Sequence, residues 1–94
     1  MVKLMVKVVI KQEGIEFFKN EFKNFIDETR KENGCISFQL FQDADNPKVF
    51  FVSEEWASQE HLENHQKSKH FLKMQEIEKD IRENLEIHRL TLVK

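Results

Sequence analysis

The chain of 94 residues has no tyrosine, one cysteine, one proline, two glycines and one tryptophan. Each scarcity removes a class of explanation. The single Cys35 has no partner for an intramolecular disulfide, and no activating base stands beside it in sequence, so it reads as a small apolar filler rather than a nucleophile. Gly14 and Gly34 are too few and too far apart for a phosphate-cradling loop, a dinucleotide fingerprint or a nucleophile elbow, so no nucleotide cofactor is implied. No uncharged apolar run approaches the ~20 residues of a membrane span, and the first residues lack the apolar core and small-residue cleavage site of a secretory signal. The expectation is a cytoplasmic protein that does not cross a bilayer. An excess of one charge is missing too: 15 Lys and Arg against 17 Asp and Glu are interleaved, with no basic stripe, so nucleic acid is not an expected partner.

What the chain has in quantity is phenylalanine, nine residues of it. A single domain of residues 1–94 buries only roughly two-thirds of the surface its unfolded chain exposes. So much aromatic mass on so small a core predicts that part of it is covered by a second copy.

Periodicity supplies the elements. Leu4, Val6, Val8 and Ile10 alternate with Lys3, Met5, Lys7 and Val9, which predicts a first strand over Val2–Ile10. Ile15, Phe18, Phe22, Phe25, Ile26 and Thr29 recur at three and four, an apolar helical stripe that Asn33 and Gly34 terminate. Ile36, Phe38 and Leu40 alternate as a second strand, residues 43–47 (DADNP) read as a turn, and Val49–Trp56 follows as a third. Ser58 and Ser68 are N-cap residues for two helical pieces broken near Lys67, the second with Phe71, Met74, Ile77 and Ile81 on its stripe. A last strand is expected over Ile87–Val93. The order is β-α-β-β-α-β, an α+β, ferredoxin-like sandwich with an antiparallel sheet. Phe41, Val49 and Phe51 make the second sheet face apolar as well, and helices cover only one face of a two-layer domain, so the open face is expected to pack in a homodimer.

The chemistry-bearing residues gather in Phe50–Phe71. Alternation places Glu54 and Trp56 on one strand face with Phe50 and Val52, so a carboxylate ends an apolar row and needs a partner, for which a histidine of the next helix is the nearest supply. His61 and His65 are four apart on one helical face, a spacing that lets two imidazoles reach one metal ion, but the string HLENH is not H-E-x-x-H and no third ligand is fixed. No metal is therefore expected. His70 falls in the first turn of the last helix, where the dipole favours the neutral imidazole that accepts protons.

Together, Gly34-Cys35, the E-x-W of Glu54 and Trp56, the H-L-x-x-H of His61, Leu62 and His65, and His70-Phe71 resemble the antibiotic-biosynthesis-monooxygenase superfamily, nearest to its quinol-monooxygenase branch. The resemblance implies a dimeric α+β barrel with a pocket between sheet and helices. It also implies oxidation of a quinol or phenol by dioxygen without flavin, metal or heme. The pocket histidine of the superfamily falls on His65, which becomes the expected base or substrate anchor. Glu54 is then its orienting partner and His70 a second proton relay, with Trp56, His61, Leu62, Phe71 and Phe38 as pocket residues. Two features differ from relatives: Lys3, Met5 and Lys7 stand where related oxygenases carry other polar groups, and Gln75 stands where a heme-degrading branch has its iron ligand. The sequence is also similar to a branch that isomerises a phosphorylated sugar signal, which would use the same acid and base with Lys3 or Lys7 on the phosphate. A non-catalytic small-molecule-binding dimer is the third reading.

Overall fold

In a computed structural model of all residues, Met1–Lys94, the chain forms β1 (Val2–Ile10), a 3-10 turn (Gln12–Gly14), α1 (Ile15–Arg30), β2 (Cys35–Gln42), β3 (Val49–Trp56), α2 (Gln59–Gln66), α3 (Lys69–Glu78) and β4 (Arg82–Leu90). The four strands make one antiparallel sheet in the order β2-β3-β1-β4, the ferredoxin-like arrangement, and the helices lie on one face. No helix is long and apolar enough to cross a membrane.

The two short helices start where their capping serines stand. Ser58 Oγ accepts the backbone N–H of His61 and Ser68 Oγ that of Phe71, and Lys67 closes α2, so the break between the two helices is a capped corner. The β2–β3 turn is held by Asp43 Oδ1, which accepts from the N–H groups of Asp45 (2.8 Å) and Asn46 (3.0 Å).

Two expectations change. The last strand begins at Arg82 rather than Ile87 and ends at Leu90, because polar Arg82, Glu83 and Asn84 satisfy the free edge of β1 with backbone bonds that need no apolar side chains. Ile81 accordingly sits in a turn rather than on the α3 stripe. It packs so closely on Gly14 that a Cβ there would lie 2.8 Å from Ile81 Cβ. In β2 the register skips Ile36 between Cys35 and Ser37; this bulge turns Ile36 outward, 53 % exposed, away from the side that Phe38 shares with the core.

The core lies between the sheet and α1. Ile15, Phe18, Phe22 and Phe25 descend from the helix onto Leu4, Val8, Phe38, Phe50 and Val52 of the sheet. The rings interlock, Phe18 on Phe50 at 4.8 Å and Phe25 on Phe38 at 5.6 Å between centroids. Each ring buried in this way contributes roughly 1.5–3 kcal/mol of transfer free energy, which makes this cluster the main anchor of α1 on the sheet.

Candidate active site

The helical face of β3 carries Phe50, Val52, Glu54 and Trp56, all buried. The row runs toward the Ser58 cap, which turns the chain into α2 and brings His65 back over the strand end. His65 is 2 % exposed, its ring 4.6 Å from that of Trp56 and 5.2 Å from that of Phe71, with Phe25 and Phe38 closing the surround.

His65 Nδ1 lies 2.6 Å from Glu32 Oε2, and His70 Nε2 lies 2.7 Å from the same oxygen. A carboxylate only accepts, so both nitrogens carry protons toward it. Burial pushes the His65 imidazole toward its neutral form, an effect larger than the opposing pull of Glu32. A neutral ring that donates through Nδ1 has its lone pair on Nε2, and that nitrogen has no partner in the protein. This is the arrangement of an oriented base.

Glu32 was not among the sequence candidates, and it replaces Glu54 as the partner of His65. It lies just beyond α1, in the turn closed by Glu32 N–H to Thr29 O and Cys35 N–H to Glu32 O. An acid at a helix C-terminus works against the helix dipole, and that mismatch was the one available signal. Glu54 is satisfied differently: its Oε1 accepts the indole N–H of Trp56 at 2.9 Å, because residues two apart on a strand share a face. Burial still raises the Glu54 carboxyl above the ordinary carboxylate range, with the Trp56 bond opposing. Cys35 is also raised, by burial first and then by Glu32 and Glu54, so its thiol stays protonated and is no nucleophile.

An apolar cavity of about 120 Å³ lies between sheet and helices, lined among others by Leu4, Val6, Phe38, Glu54, His65 and Phe71. Such a volume holds a small organic molecule or several waters. Of the expected site residues, His65, Glu54, Phe38 and Phe71 reach this wall. Trp56 and Leu62 do not: both are buried, Trp56 as support beneath His65. His70 stands on the solvent side of Glu32 with a quarter of its side chain exposed. His61 is apart from all of these, its Nδ1 2.7 Å from Ser58 Oγ and its ring against Gly34, so the His61–His65 pair is not a metal site. The set with converging donors is Glu32, His65 and His70, whose ligand atoms lie within 4.8 Å of one another. To hold a divalent ion the carboxylate oxygen would have to withdraw from the point it now occupies between the two nitrogens. Lys3 and Lys7 lie on the opposite sheet face, bonded to Ser53 Oγ (2.7 Å) and paired with Glu86 (4.0 Å), and are unavailable to a phosphate in this cavity.

The fold and site define a small ferredoxin-like domain with an apolar cavity and one oriented histidine in its wall. The chain belongs to the antibiotic biosynthesis monooxygenase family, whose model matches residues 1–77. A conserved protein from Methanosarcina mazei Go1 is 30 % identical, with a TM-score of 0.89 over 95 % of this chain and 89 % of that one. PA3566 from Pseudomonas aeruginosa is 25 % identical, with a TM-score of 0.92 over 99 % of this chain and 94 % of its own. The uncharacterized protein YjcS of Bacillus subtilis (strain 168) is 29 % identical over 70 residues, covering 74 % of this chain and 67 % of that protein.

Proposed function

We propose that this chain is a cofactor-independent monooxygenase that oxidises a quinol or phenol with dioxygen, and that His65 is its base. The observation that carries the reading is the buried His65 imidazole, fixed through Nδ1 by Glu32 on the wall of an apolar cavity, where burial favours its neutral form. His65 Nε2 removes a hydroxyl proton from the substrate, and the resulting anion is a far better electron donor to dioxygen than the neutral ring. One oxygen atom enters the ring and the other leaves as water. A phenol plus dioxygen then gives a quinone plus water, with all four electrons supplied by the substrate and no external reductant needed. Glu54, held toward its protonated form by burial, donates to a substrate oxygen. The imidazolium of His65, stabilised by the Glu32 carboxylate on Nδ1–H, then returns the proton to the oxygen that departs as water. Family membership and the mainly apolar cavity support this reading. The working unit we propose is a homodimer joined through the open sheet face.

Oxygen uptake by purified protein with a panel of quinols and phenols, with and without added flavin or divalent metal, tests it. We expect substrate-dependent uptake that needs neither addition. No uptake with any of them, or uptake only with an additive, refutes the cofactor-independent assignment.

A further inference from the structure

The cavity has a second polar end that the proposed chemistry does not use. Its wall runs along β1 through Leu4, Val6 and Val8. Glu54 pairs with Leu4 on one side, whereas Arg82 pairs with Ile10, further along β1. On the Arg82 side Gln75, Glu78 and Arg82 all line the space. Glu78 is 4 % exposed, and its side chain has one partner, Arg82 Nη1 at 3.3 Å. The same Nη1 reaches Gln75 Oε1 at 3.4 Å. Both contacts are long beside the roughly 2.7–2.9 Å of a good charge-assisted bond, and Nε and Nη2 of Arg82 have no partner in the protein. Burial holds the Glu78 carboxyl above the ordinary carboxylate range, with Arg82 opposing. Such a pair adds little stability, because desolvation offsets its attraction and apolar replacements are often as stable or more so. Its loose geometry and its place in the cavity wall leave it free to bond a guest.

We propose that Arg82, Glu78 and Gln75 form a second hydrogen-bonding subsite, which takes a neutral oxygen function at the end of the ligand remote from His65. The proposal rests on the His65 end being where the reacting hydroxyl lies. A hydroxyl at the far end accepts from the free guanidinium N–H groups and donates to Glu78. A carboxylate there meets Glu78 and an ammonium meets Arg82, so either charge is disfavoured. The ligand class is therefore a flat, apolar ring system with an uncharged oxygen at each end.

Titration calorimetry with 2-naphthol, 2,6-dihydroxynaphthalene and 6-hydroxy-2-naphthoate tests this on the full chain. We expect wild type to bind the diol about tenfold more tightly than 2-naphthol, the size of one well-made polar contact, and the naphthoate no better than 2-naphthol. In the Glu78→Leu, Arg82→Met double variant the preference should fall to within about twofold while 2-naphthol affinity stays. If that variant does not unfold cooperatively, Arg82→Gln carries the same comparison. Equal binding of diol and 2-naphthol by wild type, or a preference that survives the substitutions, overturns the subsite. Discrimination by wild type without any oxygen uptake leaves the subsite standing and removes the oxygenase reading. Binding of neither probe removes both.

Discussion

A base on the wall of an apolar cavity must be neutral before it acts and must give up its proton afterwards, and the setting of His65 suits the first requirement. Burial favours the neutral ring, and Glu32 holds the tautomer that leaves Nε2 free. His65→Ala should lower turnover of any active quinol by ~10²-fold or more, measured by oxygen uptake at a temperature where thermal melting shows the variant still folded, since emptying so buried a site also lowers the unfolding midpoint. Because burial lowers the pKa of His65, activity should persist below the ordinary imidazole range and fall only in more acid solution. Glu32→Gln keeps an acceptor for Nδ1–H but removes the charge that raises the pKa, so the acid limb of the pH–rate profile should move to lower pH with a smaller loss of rate than in His65→Ala. An unshifted limb would show that Glu32 does not act on the base. Glu54 carries the opposite sign. Its folded pKa is raised, so between the unfolded value and the folded one the native state binds the extra proton, and stability falls as pH rises through that window. Glu54→Gln preserves an acceptor for the Trp56 indole and cannot ionise. It should raise Tm by a few degrees at neutral pH, where about 1 kcal/mol shifts a domain of this size by roughly 4–8 °C, with the gain vanishing toward acid. A gain that is independent of pH would rule out the buried charge as its cause.

At the scale of elements, one glycine ties the site to the fold. Gly34 has φ +84° in the turn from α1 to β2, and a Cβ there would lie 2.2 Å from Cγ of His61. Gly34→Ala therefore adds a left-handed penalty of roughly 1–2 kcal/mol to a clash with α2. The total should exceed the backbone penalty alone, and adding His61→Ala should recover only the part of the clash due to the ring, because His61 Cβ itself would stand 2.7 Å away. Urea unfolding of the three variants separates the two, and full recovery in the pair would mean that the backbone is not strained. His61 is in this sense a packing residue of the turn that carries Glu32. The sequence shows the elements well where burial imposes a period: the α1 stripe, β1, the capped α2–α3 corner and the Phe50-Val52-Glu54-Trp56 row all follow from alternation or from three-and-four spacing. It hides what backbone pairing decides. Polar Arg82-Glu83-Asn84 gives no strand signal, yet forms the start of β4 because the edge of β1 needs partners. Ile36 looks like part of an alternating row until a bulge turns it outward. The site was legible in the same measure: His65, Glu54, Phe38 and Phe71 reach the cavity. Glu32 comes from another element 33 residues away in sequence, and no local pattern announces a pair of that separation.

For the whole molecule, the surface opposite the helices decides what the working particle is. Phe41 and Phe51 pair across β2 and β3 on this face, beside Val49, with Met5 and Val9 of β1 continuing it. Phe41 is 52 % exposed, whereas Phe50 and Val52, on the other face of the paired strand β3, are buried. Water on one side of an isolated sheet is compatible with folding, but aromatic side chains there are costly to leave wet, and no segment of the chain covers them. A second copy is the occupant we argue for. The face is apolar at Phe41, Val49 and Phe51 and bordered on the β1 side by the Lys3–Ser53 and Lys7–Glu86 contacts, an apolar centre with a polar edge of the kind a two-fold interface uses. We expect sedimentation equilibrium at micromolar concentration to give twice the mass of 11.4 kDa. Phe51→Asp should weaken association by several kcal/mol, as loss of a buried aromatic anchor does, and shift the protein to monomer at the same concentration. Phe17→Asp, a charge placed at an exposed ring on the helical side, should leave the mass unchanged. A monomeric wild type, or a dimer that Phe51→Asp does not disturb while Phe17→Asp does, would move the interface off the open sheet face.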